Sequence, residues 1–156
     1  MRSSRQMNNL YVLLMILAGA GIAAQIAANA YLRTVTGSAL WAANIVFAVS
    51  MVIGLAAIVA TTLFSTLPSP GPALWRAPSW VWLGGVFGAV YVTLAIFLAD
   101  RMGAALVSVT GIFGQLCASI LIDHYGWFGM PMQRATPARL IGAALLAAGV
   151  VLIRWR

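Results

Sequence analysis

ALWAANIVFAVSMVIGLAAIVATTLF, residues 39–64, contains no charged side chain, and its reading decides the fold. A bilayer core is about 30 Å thick, and a helix rising about 1.5 Å per residue needs roughly 20 apolar residues to cross it. The segment meets that length and reads as a transmembrane helix. On its N-terminal side, LYVLLMILAGAGIAAQIAA at 10–28 does the same. Beyond it, apolar runs recur at about 80–99, 104–122 and 138–155. The last is short, and Arg139 and Arg154 must snorkel for it to span. With the first helix at about 9–32 and the second at 39–64, one five-helix membrane domain occupies residues 1–156. The fold class is an all-α integral membrane protein.

Composition supports this and excludes much else. Of 156 residues, 63% are apolar and 7% charged, whereas a soluble domain carries about a quarter charged residues. No soluble part is large enough to do chemistry by itself. The net charge of +7 comes from nine Arg against two Asp, with no Lys and no Glu. These arginines are scattered singly, so they form no stripe for a phosphate backbone, and no nucleic-acid partner is expected. A single His and a single Cys cannot build a Cys/His metal site. Cys117 has no partner for an internal disulfide. There is no nucleophile triad and no phosphate-binding Gly loop, so the chain reads as no enzyme, with no cofactor. Its start imitates a secretory signal, with Arg2, Arg5 and an Ala28-Asn29-Ala30 triplet. The apolar run is too long for a signal core and no soluble domain follows, so it reads as the first span.

The linkers place the spans. Pro68, Pro70, Pro72 and Pro78 rule out helix between 65 and 79, and Trp75, Trp80 and Trp82 mark a membrane surface there. Asp100-Arg101-Met102-Gly103 reads as a tight hairpin with an interfacial Asp100–Arg101 pair. The linker 123–137 carries His124, Tyr125, Trp127 and Arg134. Five spans put Arg2, Arg5, Arg76, Arg134 and Arg139 on one side, and Arg33, Arg101, Arg154 and Arg156 on the other. Orientation follows an excess of Lys and Arg on the cytoplasmic side, and five against four is almost no excess. The balance predicts insertion in both orientations and an antiparallel homodimer. An odd number of spans suits this, because inverted halves build many transporters.

Helical periodicity sorts the polar residues inside these spans. Ser108, Gly111, Gln115 and Ser119 share one stripe of the fourth helix, with Cys117 opposite. Gly21, Gln25 and Ala28/Asn29 share one on the first, and Gly84, Gly88, Tyr91 and Ala95 one on the third. Gly84 with Gly88, Gly111, Gly114 with Ala118, and Gly142 with Gly149 are small-residue positions that suit close helix packing. The candidates for a substrate cavity are Gln25, Asn29, Asn44, Tyr91, Ser108, Gln115 and Ser119. For Gln25, Asn29 and Gln115, amide bonds between helices explain the pattern as well as a cavity does. Asp123 and His124 end the fourth helix on the Gln115 stripe, and read either as an anchor for the linker or as a proton relay.

From the third helix onward the chain resembles the YdcZ-type family of the drug/metabolite transporter superfamily. The resemblance lies in GGVFGAVYV at 84–92, RMGAA at 101–105, GQLCAS at 114–119, DHYGWFGMP at 123–131 and RLIG at 139–142, with QIAAN at 25–29 in the first helix. It implies a multi-pass protein of the bacterial inner membrane. The five helices would equal one half of a ten-helix fold, completed by an inverted second copy. It brings no general substrate. Small multidrug transporters of the superfamily couple protons through an embedded Glu, which this chain lacks. The function expected is secondary export of a small organic solute by alternating access, the partners being that solute, the lipid bilayer and a second copy. A non-transporting membrane subunit, or half of a heterodimer with a paralogue, are the alternatives.

Overall fold

A computed structural model describes the backbone at residues 2–64, 71 and 75–155, and the side chains at 9–64, 71 and 75–155. Five α-helices follow in order: α1 Arg2–Thr36, α2 Ala39–Phe64, α3 Leu83–Met102, α4 Ala104–Tyr125 and α5 Pro137–Arg154. A 3-10 turn, Ser79–Trp82, leads into α3, and another, Trp127–Gly129, follows α4. Among the described residues, five helices are long and apolar enough to cross a membrane. Prolines 68, 70 and 72 lie outside the described residues.

Several helices are longer than their apolar runs. α1 begins at Arg2, not near residue 9, and absorbs Arg33 to Thr36, which the sequence assigns to a loop. Near its end, the hydroxyls of Thr34 and Thr36 donate to the carbonyls of Tyr31 (2.7 Å) and Leu32 (2.9 Å), so they add no unmet polar group. Gly37 then stops the helix at φ +70, donating its N–H to Arg33 O at 2.8 Å. α3 likewise runs through Asp100 and Arg101, so the predicted four-residue hairpin shrinks to Gly103 alone, at φ +79. α4 continues past Ile122 to Tyr125. α5 starts one residue early, because Pro137 suits the first helical position and Thr136 Oγ1 accepts from Arg139 N at 3.4 Å.

The chain divides into two compact units, Met1–Ile26 with Leu98–Arg156, and Ala27–Phe97. The second has a small core of Ala42, Ala43 and Ile96, flanked by Leu32, Ala39 and Val92. The alanines let the start of α2 approach closely. Arg33 closes this corner, its Nη1 donating to Phe97 O at 3.0 Å and its guanidinium lying 5.1 Å from the Phe97 ring centre. In the first unit, α4 packs along α5 and against the turn that follows it.

Candidate functional site

α4 carries the longest polar stripe and is the natural starting point. Two of its hydroxyls turn inward on their own helix. Thr110 Oγ1 donates to Leu106 O at 2.6 Å, and Ser119 Oγ to Leu116 O at 3.0 Å. A glutamine is less easily met this way. Gln115 is exposed, and among the described residues its amide has no side-chain partner. Ser108 is half-buried, and its Oγ is enclosed with no hydrogen-bond partner. Along α1, Gln25 is half-buried, and Asn29 is the buried polar residue among those described, at 6% exposure. In the second unit Tyr91 is half-buried. Asn44 is exposed, and its Nδ2 donates to Leu40 O at 2.9 Å, which occupies one of its two amide N–H donors.

The packing glycines stand differently. A Cβ added at Gly84, Gly88, Gly114, Gly142 or Gly149 would meet nothing within 4 Å. Gly111 is half-buried. Among the described residues, then, no neighbour packs onto the backbone at those five positions.

Asp123 and His124 are brought together with the linker they precede. Arg139 Nη1 donates to Asp123 Oδ2 at 3.3 Å, and the other guanidinium terminus, Nη2, donates to Gln133 Oε1. Gln133 N donates to Asp123 O at 2.7 Å, and Ala135 N to His124 Nδ1 at 3.1 Å. His124 Nδ1 is the acceptor in this bond, which ties the imidazole to the linker. Tyr125 meets His124 edge-on and stacks on Trp127 at 5.2 Å between ring centres. The arrangement is a clasp, folding residues 126–136 back so that α5 can run beside α4. Any part in proton coupling would have to be played from within it.

Gly126 makes the fold-back possible. It sits at φ +65, ψ +31, caps α4 by donating to Ile122 O, and leaves only 3.3 Å between a Cβ at this position and Met130 O. Gly126→Ala is expected to cost about 1–2 kcal/mol, from the left-handed backbone and the tight contact together. The midpoint of thermal unfolding in detergent reads this out, and an unchanged midpoint would count against the clasp as drawn. Arg139→Gln should cost less, about 1 kcal/mol, because the ion pair is partly solvated. Its signature is local: amide hydrogen exchange should rise across 126–136 and stay unchanged in α2.

Sequence reasoning missed Gln133 altogether and assigned Arg33 only to topology. A signal for Arg33 was there. It lies four residues beyond Asn29, which lies four beyond Gln25, so a longer α1 puts all three on one stripe. Gln133 had no such signal, being in irregular chain.

The model of a protein family described as "Putative inner membrane exporter, YdcZ" matches residues 10–152. The chain belongs to the YdcZ family. Neither a curated protein nor a solved structure matches it. With five helices able to span, this YdcZ-family chain is a multi-pass inner-membrane protein. The family description names export, which implies a transporter rather than an enzyme.

Proposed function

We propose that the chain is a secondary exporter of a small organic solute, working by alternating access as an antiparallel homodimer. The observation that carries this is Gln115, an exposed amide on α4, a helix able to span the membrane. Lipid offers it no hydrogen bond, so it calls for cover by protein or by a water-filled cavity. An inverted second copy supplies both, with the site near the midplane between subunits. Three further observations support the reading. Five spans would put five arginines on one side and four on the other, an odd number of spans lets inverted copies complement each other, and among the described residues nothing lies within 4 Å of a Cβ added at Gly84, Gly88, Gly114, Gly142 or Gly149. A cavity lined by amide side chains such as Gln115 suits neutral or zwitterionic solutes better than cations.

The direct test places a reporter at the C-terminus. Comparable signal from the two sides of the membrane is expected. Signal from one side alone would remove the dual-topology dimer.

A further inference from the structure

A second place in the chain lies away from the Gln115 stripe. Where α3 passes into α4 and α5 ends, a cleft of about 610 Å³ is lined by Arg101, Met102, Gly103, the first residues of α4, Leu152, Ile153 and Arg154. Arginines at the ends of α3 and α5 serve, by default, the carbonyl ends of their own helices. What distinguishes this pair is that two helices each contribute one arginine to the lining of a single cleft. Both residues are exposed, and the walls between them are apolar. Arg101 already takes part in another interaction, but a guanidinium has five N–H donors and can serve a second partner.

The position narrows the ligand. Three spans end here, at Met102, Ala104 and Arg154, so the cleft lies at the boundary of membrane and water. Trp155 beside it is 81% exposed, as suits an interfacial aromatic. Leu152 is 69% and Ile153 45% exposed, leaving apolar surface below the arginines. A ligand that fills this place is negative at one end and apolar at the other. We infer that the cleft binds the phosphate headgroup of an anionic phospholipid, held between Arg101 and Arg154, with its acyl chains against Leu152 and Ile153. Arginine matches phosphate through parallel N–H donors, which suits it to that role better than a point charge. The inference stands apart from transport and does not depend on which solute is carried.

Purified full-length protein in neutral detergent provides the test, read as lipid retained in native mass spectrometry. Phosphatidylglycerol should bind, and phosphatidylcholine of the same acyl chains should bind at least about fivefold more weakly. Arg154→Gln should weaken phosphatidylglycerol about fivefold, and Arg101→Gln with Arg154→Gln about 25-fold, at roughly the contribution expected per surface arginine. Arg76→Gln, in the 65–79 linker, should leave binding unchanged. Should the double variant fail to fold, Arg154→Gln alone still decides the matter. Equal retention of the two lipids, unchanged binding in Arg154→Gln, or an equal loss in Arg76→Gln would overturn the site. Inorganic phosphate at millimolar concentration should not displace the lipid; displacement would identify a soluble-anion site and overturn the lipid assignment.

Discussion

Adding three lysines beside Arg2 and Arg5 is expected to abolish transport by the chain on its own, although the locked protein still inserts and folds. Five arginines against four leave insertion nearly undecided, and three added positive charges tip it, because basic residues near span ends are held on the cytoplasmic side. Lysines beside Arg154 and Arg156 should hold the opposite end there, with the same loss. Neither locked form can supply the inverted partner, so two parallel copies leave the Gln115 faces without their complement. Co-expressing the two locked forms should restore transport, since together they provide one copy in each orientation. A drop of at least about tenfold in each single form, with recovery on mixing, is the pattern that an antiparallel dimer demands. One locked form that transports as well as the original by itself would show a parallel assembly, or a different partner.

Gln115→Leu should likewise reduce transport to background, with assembly intact. The test solutes are neutral and zwitterionic organic compounds that raise the unfolding temperature of the purified protein, since a ligand stabilises the state that binds it. Leucine nearly matches glutamine in size and is at home in lipid, so it removes the hydrogen-bonding groups and spares the helix. One lost hydrogen bond to a solute is worth about 1 kcal/mol, or roughly fivefold in affinity. Solute-induced stabilisation should weaken at least that much, while cross-linking still yields dimer. Asn44→Leu makes the contrast, because its amide already serves Leu40 O, and transport should persist. Loss of dimer and transport together in Gln115→Leu would instead mean that the amide only packs helices.

The clasp and the cleft bear differently on these tests. Asp123 and Arg139 are joined across the α4–α5 linker, so Asp123→Asn alters a local structure as well as a titratable group. A pH effect in that variant is therefore to be read beside its amide exchange over 126–136. Arg101 and Arg154 count toward the topology balance, and the lipid site proposed for the cleft they line would give them a second use.

What the sequence by itself determined is the set of demands that act along one dimension. A bilayer of fixed thickness needs runs of fixed length, so α2 was legible from residue 39 to residue 64, and five spans could be counted. Helical periodicity is equally local, so the Gln115 stripe and its composition were legible too. Family membership rested on motifs that survive in order along the chain. Tertiary structure alone decided where helices stop and which polar groups find partners. Arg33 stays helical and docks on Phe97, 64 positions away, and Asp123 reaches Arg139 and Gln133 once Gly126 turns the chain back. The stripes show the same division, with Asn29 buried and Gln115 exposed although both are amides on membrane helices. The physical reason is that periodicity tells which residues share a face, whereas the cover of that face comes from segments far off in sequence. Their approach is set by turns at single residues and by side chains that meet only after folding.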